Sequence, residues 1–435
     1  MLWLVSIYFF YGSIKPQYID PKFFFTYLGF EWVKPWPGMG MYIHFATLGV
    51  LSIFITIGFI YRASITLFFL GFTYIFLLDK THYQNHFYLI CLVSFLMIFI
   101  PCNKKLSVDS VINPKIRSEL APTWSLWTLR LQFAIVYVFA GIAKINGDWL
   151  NGQPMRMTLA VRSDLYNFVG PYFKEEWVVY LFSYGGLFLD LFVVPLLFWK
   201  PTRLIALFAS ILFHRTNSLF FGLDIFPWFM MIATFIFLPA NWFRFDFSPK
   251  KINLKSSDTF ENIPSLNPLR KTAMILLCAY FLFQFLIPFR HFLYPGNVNW
   301  TEEGHRFSWR MMLRHKVGKT QLVAYDPNHD NRISVNNEYF LHKGQIQAMQ
   351  TRPDMIVQFS HFIAEDLTQK GYSSIKVKAI SKASLNGRKL QQFINPNIDM
   401  NSQNITIAHT NWVVPLKHPV PRSLEEITQN LGIKF

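Results

Sequence analysis

Residues 178–199 read Val-Val-Tyr-Leu-Phe-Ser-Tyr-Gly-Gly-Leu-Phe-Leu-Asp-Leu-Phe-Val-Val-Pro-Leu-Leu-Phe-Trp. Asp190 is the one charge in a stretch matching the roughly 20 apolar residues that cross a bilayer. Such a run is too long for an ordinary buried strand and too apolar for a surface helix, so it reads as a membrane span. The same reading applies outward to 41–60, 204–221, 226–238 and 272–289, and to the shorter runs 65–78 and 87–100. Residues 131–145 form another, broken only by Gln132 and Lys144. Residues 1–13 are apolar but short, with neither a basic leader nor a small-residue cleavage site, and read as the end of a helix that starts upstream. The total is about nine spans.

Composition agrees. Of 435 residues, 52% are hydrophobic and only 15% charged, against about 25% charged in soluble domains. Three cysteines are too few for a disulfide scaffold. The net charge of +16 comes without a basic block interleaved with polar aromatics, so no nucleic-acid partner is expected. The partner it suggests is the lipid bilayer. With the N-terminus inside, the inside loops carry Arg62, Lys104, Lys105, Lys115, Arg117, Lys200 and Arg203, as the positive-inside rule requires. Nine spans then put everything after residue 289 outside. Residues 290–435 hold no span but short β-type runs at 320–325, 374–380 and 404–408, with turn signals at Asp326-Pro327-Asn328 and Asn386-Gly387. The expected fold is a polytopic α-helical membrane protein of about 8–9 spans, residues 1–289, followed by a β-rich extracytoplasmic domain, residues 290–435. That domain has no cysteine, so its core or its contact with the helices must hold it.

Ionisable groups inside spans are candidates for function. Lys144 lies in Tyr137-Val-Phe-Ala-Gly141-Ile-Ala-Lys144, followed by Asp148-Trp149. Tyr137, Gly141 and Lys144 share a helix face, and Gly141 leaves room for a ligand or a close helix. An amine in an apolar pocket loses its charge readily and then serves as a general base. The alternative is a Lys reaching the interface and pairing with Asp148. His214, Arg215 and Asn217 make a polar cluster able to hold a ligand edge or to cap a helix end. Asp190 needs a partner on another helix. His82 and His86 lack the companions of a metal motif, so no metal is expected.

Together these segments resemble the vitamin K-dependent γ-glutamyl carboxylase family. The resemblance rests on Leu77-Leu78-Asp79-Lys80-Thr81 with Asn85-His86 and Tyr88-Leu89, on Tyr137 to Trp149, on Gly185-Gly186 with Asp190, and on Phe213-His214 with Asn217-Ser218. It continues through His291-Phe292-Leu293, Asn299-Trp300-Thr301 and Ser308-Trp309-Arg310-Met311-Met312. The resemblance implies that Lys144 deprotonates a reduced vitamin K, a phylloquinone or menaquinone hydroquinone. Reaction with O2 gives a strong base and finally the epoxide. The base removes a γ-proton from a glutamate in a protein or peptide on the outer face, and the carbanion captures CO2, without a metal. Tyr137, His214 and Asn217 would line the quinone pocket, and His291, Trp309, Met311 and Met312 the glutamate side. Asn103-Lys104 stands where the family has Asn-His. The resemblance puts both in the Lys144 pocket, with Lys104 aiding loss of the Lys144 proton by charge, whereas the loop charges put them on the opposite face. Animal members join the two parts by a disulfide, which this chain cannot form, so epoxidation is better supported than carboxylation. A quinone- or lipid-binding membrane protein without catalysis is the rival class; a transporter would show two related halves.

Overall fold

The computed structural model describes residues 6, 8–9, 12–223, 225–239, 242, 268–326 and 331–433. The helical part comprises α1 (Gly40–Ile57), α2 (Tyr61–Leu78), α3 (Asn85–Phe99), α4 (Thr123–Lys144), α5 (Glu176–Phe198), α6 (Arg203–Phe221), α7 (Ile225–Thr234) and α8 (Pro268–Leu286). Each of the eight apolar runs after residue 13 is therefore helical. Among the described residues, six helices are long and apolar enough to cross a membrane: α1, α2, α4, α5, α6 and the stretch Pro268–Leu293. Asn85–Phe99 and Ile225–Phe237 are apolar but shorter. Of the expected eight to nine, six therefore meet the length of a span among the described residues, and most of residues 1–13 lie outside the described residues.

Local chemistry sets the helix ends. α1 stops at Gly58, whose φ of 65° lets its N–H reach back to Ile55 O and Phe54 O. A Cβ at Gly58 would also lie 2.4 Å from Ser107 Cβ, so only glycine serves here. α2 begins where the Asp109 carboxylate accepts from Ile60 N (2.7 Å) and Tyr61 N (3.0 Å). α4 runs against α5 at Gly141, where a Cβ would fall 2.7 Å from the Leu191 side chain. Close helix approach, rather than ligand room, is what that glycine provides.

The C-terminal part begins beyond α8. Its sheet is four-stranded and antiparallel, in the order β2-β1-β3-β4. The strands are β1 (Lys316–Asp326), β2 (Asn331–Ser334), β3 (Lys376–Leu385) and β4 (Gln391–Gln392). β1 and β3 pair from Lys316↔Leu385 to Tyr325↔Lys376. Helix α9 (Pro353–Gln369) lays Met355, Ile356, Phe359, Ile363 and Leu367 on one face of the sheet. Asn386 and Gly387, at φ 53° and 79°, turn the chain out of β3 as the Asn-Gly signal requires. The β1–β2 turn signal at 326–328 falls mostly outside the described residues. The expectation of a β-rich domain is corrected to a mixed one, a small sheet covered by helices. Residues 404–408 form no strand: Ile407 is 77% exposed, and the β4 edge is too short to pair with them. Alternation marks a strand only when a partner edge exists.

The two parts are fastened by buried charges. Arg388 Nη2 and Nη1 donate to the Asp148 carboxylate at 2.6 and 2.7 Å, and Asn386 Nδ2 adds a bond at 2.7 Å. Lys80 Nζ lies 2.7 Å from Asp354 Oδ2, and Gln345 Nε2 donates to Asp79 Oδ2 at 2.8 Å. Phe25, from the segment before α1, is fully buried in the core under the sheet. All three cysteines are free, so packing and these bonds do what a disulfide would do. The contacts place the Leu78 end of α2, the start of α3 and the Lys144 end of α4 beside the C-terminal part. Residues 100–122 and 199–202, with their basic side chains, lie at the other end of the bundle.

Candidate functional site

Lys144 ends α4 with its side chain turned inward, 5% exposed. Its Nζ donates to Asp190 Oδ2 on α5 at 2.5 Å and to Ala140 O at 3.3 Å. It also lies 5.2 Å from the centre of a Trp149 ring. Asp148, the near neighbour in sequence, is committed to Arg388. Two turns back on the same face, Tyr137 OH shares a hydrogen bond with His214 Nε2 at 2.8 Å and with Thr234 Oγ1 at 3.3 Å. Thr234 in turn bonds Ser210 at 3.0 Å and Met230 O at 2.8 Å. His214 Nδ1 is buried without a hydrogen-bond partner.

Lys144, Asp190, Trp149, Tyr137 and His214 line one cavity of about 340 Å³, within the roughly 300–1,000 Å³ range of small-molecule sites. Its lower wall is apolar: Val136, Phe182, Phe213, Phe221, Phe226 and Met230. Gly186 belongs to that wall, and a Cβ there would stand 3.9 Å from Lys144 Cε and 3.7 Å from Trp149. His86, at the start of α3, and Asn217 also line the space.

The upper wall comes from residues 302–314, which form neither strand nor long helix. Phe307, Trp309 and Met312 take φ of 63°, 55° and 54°, a left-handed backbone that side chains adopt at a cost and that clusters at functional sites. These turns deliver Arg306, Arg310, Met311, Met312 and Arg314 to the cavity, where Arg352 and His305 join them. Arg306 is held by Asp354 at 2.9 Å, and Arg314 by Glu302. Arg352 bonds Lys80 O at 3.3 Å. Arg310 differs from Arg306 and Arg314: among the described residues it has no carboxylate partner, and its Nε is buried without a bond. Burial pushes the Arg310 guanidinium down to about 10, which leaves it charged at neutral pH. Burial, then the charges of Arg310 and Arg306, hold His305 well below the ordinary imidazole range, so it is neutral.

Of the residues singled out from sequence, Lys144, Tyr137, His214, Asn217, Met311 and Met312 meet at this cavity. Trp309 does not line it. It is fully buried behind the wall and stacks on Tyr88 at 5.1 Å. His291 lines a neighbouring cavity of about 590 Å³, which shares Arg310 with the first. Asn103 and Lys104 are not there. They lie at the opposite end of the bundle, where Asn103 Nδ2 donates to Asp109 Oδ2 at 2.8 Å and steadies the cap of α2. The shared-pocket expectation is corrected: the sequence likeness at Asn103 marks a helix cap. Sequence reading missed the arginines of the upper wall, although the spacing of Arg306, Arg310 and Arg314 was visible. It also missed the Lys144–Asp190 pairing, which joins residues 46 apart. Asp79, His82 and His342 each place a potential metal-ligand atom within 4.8 Å of the others. The Asp79 carboxylate already serves Thr81 N and Gln345, and His342 Nδ1 accepts from Gly344 N at 3.1 Å.

Residues 1–242 match the family model of the HTTM domain, and residues 269–419 match that of the vitamin K-dependent gamma-carboxylase, lumenal domain. No solved structure matches. The second match begins at α8, so it takes in the last apolar helix as well as the sheet-bearing part, and the cavity described above is lined by residues of both matched stretches. This membrane protein belongs to the vitamin K-dependent gamma-carboxylase family.

Proposed function

We propose that the chain oxidises a reduced vitamin K at the Lys144 end of the cavity and uses the resulting base to carboxylate a glutamate held at the arginine end. The observation that carries this reading is a buried amine, bonded to a buried carboxylate, in the wall of a cavity that is apolar below and cationic above. Family membership supports a vitamin K-dependent carboxylase-like activity; the assignment of steps to residues is our own.

The residues suit a flat, apolar quinol with polar edges. The apolar wall would cover its faces, Gly186 leaves room beside Lys144 Cε, and His214 Nδ1 offers a buried polar atom with no other partner. When bound, the reduced quinone supplies, with O2, the strong base that the family chemistry needs. Lys144 Nζ takes the proton from a hydroxyl placed against it. For that it must first be neutral, and Asp190 Oδ2, at 2.5 Å, is the group to which its own proton can pass. The Tyr137–His214–Thr234 bonds fix the second polar edge. Met311 and Met312 add apolar surface to the arginine-bearing wall, where they would help to exclude water from a bound substrate. At the upper end Arg310, charged and without a carboxylate of its own, would receive the glutamate side chain. O2 and CO2 are small enough to enter such a space without dedicated groups.

The test is direct. Purified protein in detergent receives reduced vitamin K, O2, labelled CO2 and a short glutamate peptide. Epoxide together with label in the peptide supports the reading. Epoxide without label narrows the activity to an epoxidase, and neither product returns the chain to the class of quinone-binding proteins.

A further inference from the structure

The outer face of the sheet carries charge of one sign. Side chains alternate along β1 and β3, and those facing away from α9 include Lys319, Lys376, Lys378 and Lys382, with Arg332 on β2. No Asp or Glu shares this face among the described strand residues. Lys319 stands directly opposite Lys382 in the register, an arrangement that destabilises a sheet on its own. None of the four lysines is ion-paired among the described residues. Between them lie exposed apolar side chains, Ile380 at 55% and Val317 at 40%. A solvated face normally mixes both signs. Lysines that guard a sheet against aggregation sit along one edge, whereas these run across both β1 and β3, and Lys382 has a paired strand on each side.

We infer that this face docks an acidic, extended peptide segment, namely the stretch flanking the glutamate that enters the cavity. The inference rests on the proposed carboxylation only for the identity of that peptide. The face starts close to the site along the chain: Arg314 lines the cavity, and β1 starts two residues later at Lys316. At about 3.3 Å per residue, an extended chain needs roughly five residues to run from Arg314 to Lys319. Acidic side chains at alternate positions would meet Lys319 with Lys382 and then Lys378, while apolar ones rest on Ile380. Charge complementarity of this kind selects partners and speeds their encounter.

The test uses the full chain in detergent, a fluorescein-labelled Glu-rich peptide and its Gln counterpart, read by anisotropy. The variant is the triple substitution Lys319→Gln, Lys378→Gln, Lys382→Gln, which lies outside the cavity and relieves like-charge repulsion. Wild type should bind the Glu peptide, release it as salt rises and ignore the Gln peptide. The variant should bind roughly tenfold more weakly or worse, since several modest charge contacts go at once. Equal affinity in variant and wild type overturns the inference. So does a variant that loses phosphatidylglycerol from doped micelles while keeping the peptide, since the face would then serve the membrane. A wild type that binds the peptide through these lysines yet forms no epoxide supports the docking face and refutes the enzymatic reading alone.

Discussion

Replacing Arg388 by Met should unfasten the C-terminal part from the helices. The Arg388 side chain is 6% exposed and that of Asp148 8%. Two charge-assisted bonds of 2.6 and 2.7 Å join them. Arg388 also serves His418 O at 2.9 Å and Leu385 O at 3.1 Å. Arg388→Met leaves the Asp148 carboxylate buried with only Asn386 Nδ2 as a side-chain donor. Removing one partner of a buried pair costs about 3–5 kcal/mol, because the other charge stays uncompensated. Replacing both removes that penalty, so Asp148→Asn with Arg388→Met should cost only the lost bonds to the two carbonyls, about 1 kcal/mol each. The coupling between the sites should therefore be about 2 kcal/mol or more. Denaturation in mild detergent, followed by tryptophan fluorescence, measures all three variants. The reasoning is refuted if Arg388→Met costs less than about 1 kcal/mol, or if the double variant costs the sum of the singles.

Asp190→Asn should lower the epoxidation rate far more than it lowers quinone affinity, because it removes the acceptor for the Lys144 proton; an unchanged rate at saturating quinone would contradict that role. Arg310→Met should raise KM for a glutamate peptide with little change in epoxide formed without peptide, and a fall in both would place Arg310 elsewhere. Burial alone would raise the Asp354 carboxyl, but Arg306 and Lys80 outweigh it and hold it below the usual range. A depressed carboxyl gives stability that is complete above its unfolded value, about 3.9, and is lost only as pH falls through the lower folded value. Hydrogen exchange at residues 79–84 should thus stay protected from about pH 7 to pH 5, and opening within that window would contradict the pairing. Lys104→Met should leave the pH–rate profile where it is, since Lys104 lies at the far end of the bundle; a shift would restore a shared pocket.

Much of this was legible in the sequence. Apolar runs of the right length need no tertiary information, and each became a helix. Lys144 was found because one amine in an apolar stretch is costly wherever it sits. Its partner was not identified for a physical reason: local spacing offered Asp148 as the alternative, Asp190 was read only as needing a partner on another helix, and the packing of α4 on α5 at Gly141 brings the two together. Asp148 is drawn away by Arg388, 240 residues on, a pairing no local pattern reveals. The Asn103 likeness misled because capping and catalysis draw on the same polar residues. Helix α9 went unseen although Pro353 and the spacing of Met355, Ile356, Phe359 and Ile363 announce it. The strand expected at 404–408 lacked an edge to join.

The central claim is that Lys144 acts as a base. Epoxide formation from reduced vitamin K and O2 should be measured on purified wild type, Lys144→Ala and Lys144→Arg, each checked for folding by its unfolding profile. The account predicts epoxide from wild type and none from either variant, since Ala has no amine and a guanidinium stays protonated in a protein. Appreciable epoxide from Lys144→Arg would mean that the position supplies only charge, and appreciable epoxide from Lys144→Ala would contradict the assignment outright.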